Sequence, residues 1–154
     1  MDALTLLTQD HRDQERMLEE LLDAFGEDVS KRQNCYDVFK AELVKHINIE
    51  EELFYPRIKE IKGLEVKVLE ALEEHNICMR LLQELDLTEA DEAIWKSKIK
   101  VLKELTHHHI NDEEEELFPQ VKELASAEYL RDMGQQMRFH KSKTDPDKVL
   151  YPDS

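Results

Sequence analysis

The sequence contains the motif HxxxE twice, and a proline follows each glutamate six residues later. The first copy runs from His46 to Glu50 and the second from His109 to Glu113, 63 positions apart. The prolines fix this register, and they single out His109 from its two histidine neighbours. Residues four apart share one face of a helix, so each copy can direct an imidazole and a carboxylate to the same place. Such ligands suit iron, manganese or zinc.

The repeat also includes a histidine upstream of each motif. Asp10-His11 aligns with Glu74-His75 at a spacing of 64 positions, so the chain has two halves that each read H…HxxxE. A repeat this long indicates a duplicated helical hairpin rather than a solenoid. The candidate metal-binding residues are His11, His46, Glu50, His75, His109 and Glu113.

Taken singly, each candidate has an ordinary explanation, because a core histidine is usually just hydrogen-bonded. The set is harder to explain in that way. Two ionised glutamates inside an apolar bundle cost several kcal/mol each unless they are paired or bind a metal. The predicted inner faces offer no lysine or arginine as partners. We therefore expect a dinuclear metal site. We expect the remaining acids of 50–52 and 113–116 to face solvent, and His107 and His108 to face outward or hydrogen-bond locally.

The elements that must position these residues are long helices. Only three glycines and four prolines occur in 154 residues, which favours long helices with short connections. Apolar spacing predicts helices over about 3–25, from 31 past Glu50, over 64–85 and over 89–123, and Pro56 should kink or end the second. The predicted fold is all-α, an up-down-up-down four-helix bundle over residues 1–125. Residues 126–154 are predicted to form a short helix and an irregular tail from Lys141.

Composition excludes several classes of partner. The net charge of −15 argues against nucleic acid and anionic membrane surfaces, which attract basic proteins. No apolar run of about 18 residues indicates a transmembrane helix, and no secretory signal is visible. Cys35 and Cys78 form no CxxC motif and are expected to be reduced thiols on helices, in a cytoplasmic protein.

With LF(Y)P following each HxxxE, the pattern resembles the hemerythrin-like, HHE cation-binding domain over residues 8–124. The resemblance implies a non-haem di-iron centre with an oxo or hydroxo bridge, four terminal histidine ligands and two bridging glutamates, drawn from the six candidates. The oxygen-carrying hemerythrins have HxxxH on the third helix and HxxxxD on the fourth. This chain has Met79 and HxxxE at those places, so it is more similar to bacterial HHE proteins and to the di-iron domain of the repair-of-iron-centres proteins.

Three functions follow from this resemblance. The first is a protein that binds oxygen or nitric oxide as a sensor, store or scavenger. The second is a redox enzyme that acts on peroxide or nitric oxide, or assists iron-sulfur repair. The third is an iron sensor, or a bundle with a structural metal. Whether the protein is an enzyme, and its oligomeric state, stay open.

Two further positions bear on the symmetry of the site. Glu15 and Met79 are equivalent in the repeat, each four residues after its helix's histidine. Glu15 is a possible additional ligand or hydrogen-bonding neighbour of one iron, which would leave the iron near Met79 with an open position. The alternative is that Glu15 turns to solvent and Met79 fills the core.

Overall fold

The computed structural model describes residues 1–143, and that part of the chain is helical with short turns and no strand. The helices are α1 (Ala3–Asp23), α2 (Val29–Ile49), α3 (Tyr55–Ile58), α4 (Glu65–Asp86), α5 (Ala93–Asp112), α6 (Phe118–Leu124) and α7 (Ala127–Lys143). The all-α prediction is confirmed. The fifth long helix, α7, continues through Lys141, where the irregular tail was expected to begin, and residues 144–154 lie outside the described part.

The two HxxxE helices change their hydrogen bonding at the glutamate. α2 and α5 each run into one π-helical turn, Glu50–Phe54 and Glu113–Leu117, before α3 and α6 begin. The cause is the proline at the second position of α3 and of α6, which has no N–H and clashes with the carbonyl four residues earlier. The chain relieves this clash with bonds to the fifth residue back, such as Tyr55 N–H to the Glu50 carbonyl. Pro56 therefore acts on its helix as predicted.

Contacts between side chains show how the long helices run. Glu19 of α1 pairs with Lys103 of α5, whereas His11, earlier in α1, meets Glu113, later in the chain. Helices α4 and α5 show the same reversal, since Glu84 pairs with Lys98 and Glu74 with His109. These neighbours are antiparallel, as expected for an up-down-up-down arrangement.

The core has two apolar parts with a polar layer between them. On α1, Leu7 belongs to one part and Leu18 to the other, and the buried His11 lies between them. On α5 and its continuation, Leu102 and Leu117 belong to different parts, with a second buried histidine between them. The helices α1, α2, α4 and α5 thus place their buried polar residues at the same level of the bundle. No helix within residues 1–143 has the length and apolar composition needed to cross a bilayer.

Helix α7 packs on α1, and Gly134 lies close to the backbone of residues 1–3. We predict that Gly134→Ala destabilises the protein, because the added Cβ would lie 2.5 Å from the Met1 carbonyl oxygen and 2.8 Å from the Ala3 nitrogen. Such overpacking typically costs about 1–3 kcal/mol, which exceeds the helix-propensity gain of about 1 kcal/mol. Urea unfolding measures the net loss.

The control is Gly26→Ala, because nothing lies within 4 Å of the added Cβ. Its free energy of unfolding should not fall. Equal stability of the two variants would show that α7 does not pack this closely on the N-terminus.

Candidate metal centre

The structure brings all six candidate residues together in the polar layer. They come from four long helices, and the most exposed of them, His109, is only 8% exposed. Potential ligand atoms fall into two groups that share Glu50, one with His11, His46 and Glu113 and the other with His75 and His109. Within each group the atoms lie within 4.8 Å of one another. This arrangement suits two adjacent metal ions better than one.

Each histidine turns its Nε2 atom towards a buried glutamate. On one side, His11 Nε2 lies 3.2 Å from Glu113 Oε1 and His46 Nε2 lies 3.0 Å from Glu50 Oε1. On the other, His75 Nε2 lies 3.1 Å from Glu50 Oε1, and His109 Nε2 lies 3.2 Å from Glu113 Oε1. Each glutamate therefore faces one histidine of each group, as a bridging carboxylate would.

The opposite ring nitrogen of every histidine contacts a second carboxylate. The Nδ1 distances are 2.6 Å from His11 to Glu114, 2.9 Å from His46 to Asp10, 2.8 Å from His75 to Glu51 and 2.8 Å from His109 to Glu74. An ionised carboxylate only accepts hydrogen bonds, so each Nδ1 must carry the proton. When the ring loses its second proton, as it must to bind a metal, its Nε2 lone pair faces the centre. Metal-binding histidines are usually oriented in this way.

The sequence analysis missed these four outer carboxylates. It expected Glu51 and Glu114 only to face solvent; Glu51 is exposed and Glu114 half-buried, and each also accepts a hydrogen bond from a buried histidine. The sequence does hold a signal for them. Asp10 and Glu74 each precede the first histidine of their half, and Glu51 and Glu114 each follow the HxxxE glutamate, so both pairs obey the repeat.

The buried histidines and glutamates of this layer strongly shift one another's pKa values. Burial lowers the pKa of His46, but Glu50 and Asp10 outweigh burial and raise it to about 10. For His109, too, burial is outweighed by Glu113, Glu50 and Glu74, so its pKa lies well above the usual value. Burial would raise the pKa of Glu50, yet His46 and other neighbours hold it well below the usual range. The carboxylates thus need positive charge beside them, as protons or as cations.

Two buried donor atoms support a metal rather than a purely hydrogen-bonded cluster. Glu50 Oε2 has no hydrogen-bond partner, and neither has His46 Nε2, whose approach to Glu50 lacks hydrogen-bond geometry. An unpaired polar group away from water is costly. Glu50 Oε2 has a free lone pair and His46 Nε2 offers one when its proton is displaced, and both belong to residues of the two groups. The donor set therefore fits metal ions.

A tyrosine also reaches this layer, and the sequence analysis did not foresee it. Tyr55 is buried and its hydroxyl donates a 2.7 Å hydrogen bond to Glu113 Oε2, while lying 3.4 Å from the Nε2 atoms of His75 and His109. In a straight α-helix, positions 50 and 55 would be about 140° apart around the axis. The π turn brings positions five apart into line, so Tyr55 joins the face of Glu50.

The counterpart of Tyr55 in the second half is Phe118. Its ring stacks on His11 at a centroid distance of 5.9 Å with 6° between the planes. One group of candidate ligands therefore has a phenol beside it and the other a phenyl ring. Burial, followed by the charges of Glu113 and Glu50, raises the pKa of Tyr55 well above its usual value, so the phenol keeps its proton.

Glu15 is not among the carboxylates of either group of candidate ligands. It is half-buried and pairs with Arg12 at 2.7 Å. Met79 is buried in the apolar core, as the space-filling alternative describes for that residue. His107 is exposed, and His108 pairs at the surface with Glu74 and Asp112 at 3.3 and 3.1 Å.

Comparison with known proteins agrees with this geometry. The family model described as "Hemerythrin HHE cation binding domain" matches residues 2–121. A protein named "DNA nickase" from Nostoc sp. (strain PCC 7120) is 24% identical over 143 residues, and the match covers 93% of this chain and 40% of that protein. The chain thus spans about two fifths of that relative's length.

A solved structure shares the fold. It is a Hemerythrin HHE cation binding domain-containing protein, the Rv2633c homolog from Mycobacterium kansasii. The TM-score is 0.79 at 21% identity, with 93% of this chain and 86% of that chain covered. From the family match over most of its length, we conclude that this chain belongs to the hemerythrin HHE cation-binding domain family.

Proposed function

We propose that this protein holds a non-haem di-iron centre and binds oxygen or nitric oxide as a sensor, store or scavenger. The observation that carries the proposal is the convergence of four Nε2 atoms on two buried glutamates. In the proposed centre His11, His46, His75 and His109 are terminal ligands, and Glu50 and Glu113 bridge. Family resemblance favours iron over other metals that accept imidazole and carboxylate.

When bound, two irons would supply redox-active positions for a small ligand, and the chain's own residues define the surroundings. The four outer carboxylates fix the rings through Nδ1. Phe54 and Phe118 pack edge to face at 5.8 Å on the apolar side of the layer, where they exclude water. The site therefore combines rigid donors with a dry, apolar wall.

Access to the layer favours a small ligand. A cleft between α4 and α5, lined in part by Glu70 and Glu74, reaches the buried Glu113. Its volume is about 20 Å³, close to the space that one water molecule needs. A diatomic molecule or a peroxide fits a passage of this scale.

A redox enzyme acting on peroxide or nitric oxide, or assisting iron-sulfur repair, is the second candidate, and Tyr55 is the observation in favour of peroxide. Its hydroxyl donates a hydrogen bond to Glu113 and lies 3.4 Å from the Nε2 atoms of two candidate ligands, His75 and His109. Peroxide reduction consumes protons, and a positioned phenol is a possible proton donor. A binding protein has less need of such a group.

The name of the Nostoc relative does not extend to this chain. DNA cleavage requires contact with a phosphate backbone, which proteins make through clustered lysine and arginine. This chain carries 36 acidic and 21 basic residues. We therefore propose small-molecule ligands rather than nucleic acid as its partners.

The first prediction concerns metal content. After anaerobic loading, elemental analysis should find two irons per chain, and His109→Ala or Glu113→Ala should lose at least one, because each removes a donor of the proposed centre. The adjacent variant His108→Ala is the control and should keep both irons. One iron or none in the parent, or a large loss in His108→Ala, would contradict this assignment.

The second prediction concerns the outer carboxylates. Glu74→Gln should weaken iron binding about tenfold, at the lower end of the effect of outer-shell changes, because a neutral amide supports His109 less well. Its neighbour Glu73 is exposed, so Glu73→Gln is a matched control with the same change of charge. Competition with a chelator measures both. Equal affinity of the two variants would mean that Glu74 does not support the metal.

The third prediction separates binding from catalysis. The iron-loaded protein is titrated with oxygen, nitric oxide and peroxide and followed by its absorption spectrum. A stable adduct that reverses on removal of oxygen or nitric oxide supports the binding function, whereas sustained consumption of peroxide or nitric oxide supports the enzyme. If the protein shows neither a reversible adduct nor sustained consumption, both proposed functions are contradicted.

If peroxide is consumed, Tyr55→Phe should slow its consumption about 100-fold, the lower range for loss of a general acid. Two irons should remain bound, since Phe118 shows that a phenyl ring fits the equivalent place. An unchanged rate would exclude Tyr55 as the proton donor.

A further inference from the structure

The four outer carboxylates differ in what lies beyond them. Asp10, which holds His46, also contacts Lys141 of α7 at 2.6 Å. Glu114, which holds His11, accepts hydrogen bonds from Arg12 on both of its oxygens. In the group that contains His11 and His46, which we call the first group, each histidine is therefore hydrogen-bonded to a carboxylate that is itself paired with a permanent cation. The group that contains His75 and His109 is the second group.

Within the described residues, the second group has no such cations. The ion-pair partner of Glu51 there is His75, and Glu74 has the exposed imidazole of His108 as its further neighbour. Within residues 1–143 neither carboxylate forms an ion pair with lysine or arginine. The sequence agrees, because the repeat counterpart of Arg12 is Asn76 and Lys141 lies outside the duplicated part.

This difference changes the donor strength of the histidines. A free carboxylate draws the Nδ1 proton towards itself, which makes the imidazole a stronger donor and favours a more highly charged metal. A cation beside the carboxylate reduces that pull and adds positive charge nearby. We propose that Lys141 and Arg12 make the His11/His46 position the one at which the first added electron resides.

The inference deepens the proposed di-iron function and rests on it. A one-electron reductant supplies the electron, and one ferric ion becomes ferrous while the other stays ferric. The two cations are shared, since Arg12 also pairs with Glu15, and Lys141 lies 3.7 Å from Glu42. Lys141 nevertheless lies closer to Asp10, and it helps to lower the pKa of Asp10 against the effect of burial, after the larger contribution of His46.

A role for α7 follows from the position of Lys141. The helix lies outside the repeat, yet it reaches the site through the path Lys141–Asp10–His46. Lys141 is thus a positioning residue that acts through Asp10 and does not itself contact a metal ligand.

The test is redox titration of the full, iron-loaded chain with a one-electron reductant, followed by optical and electron paramagnetic resonance spectra. In Lys141→Met and in Arg12→Met, the equilibrium constant for the first reduction should fall about tenfold, which is comparable to the effect of other changes next to a metal-binding histidine. For a one-electron couple, a tenfold change corresponds to a shift in reduction potential of about 59 mV. The half-reduced form should become less populated. Lys141→Arg keeps the charge and should behave as the parent.

The control for docking of α7 is Arg57→Met, which removes a contact with Gln136 of the same helix but no charge beside an outer carboxylate. Its first reduction should match that of the parent. An unchanged constant in Lys141→Met and Arg12→Met, or equal shifts in Lys141→Met and Arg57→Met, overturns the inference. A parent that does not bind two irons overturns the proposed function and the inference together.

Discussion

The structure depends on two carboxylates, Glu50 and Glu113, buried in an otherwise apolar bundle. Neither has a lysine or arginine within reach in the described part of the chain, so their charge must be balanced by the four histidines and by what these hold. Each histidine in turn donates a hydrogen bond from its Nδ1–H to an outer carboxylate nearer the surface. Acidic and basic side chains thus alternate from the centre outwards.

The backbone change caused by the two prolines also shapes this layer. Placing Glu50 and Glu113 at the start of π turns aligns each with the residue five positions later. In one half that residue is Tyr55 and in the other Phe118, and both reach the polar layer. A proline that lies outside the site therefore decides which aromatic side chain borders it. The backbone irregularity and the chemistry of the site have one cause.

The sequence predicted the four long helices and the six central residues, because both follow from a regular helical period. His11 and His75, for example, appear on apolar faces at fixed distances from the HxxxE copies. The outer carboxylates were missed because contacts such as Glu51 with His75 depend on the offset between two packed helices, which periodicity within one helix does not give. Tyr55 was missed for a different reason: a straight helix places it off the face of Glu50, and only the π turn corrects this.

Duplication accounts for the symmetry of the centre, and the departures from symmetry suggest its use. The repeat supplies equivalent candidate ligands to both proposed positions, so a difference between the positions must come from residues that break it. Those identified are Tyr55 opposite Phe118, Arg12 opposite Asn76, and Lys141 on the unrepeated α7. All three give the two positions unequal surroundings: a phenol beside His75 and His109, and cations behind His11 and His46. A purely structural metal pair would gain nothing from this inequality, whereas a centre that binds a ligand at one position and holds an electron at the other requires it.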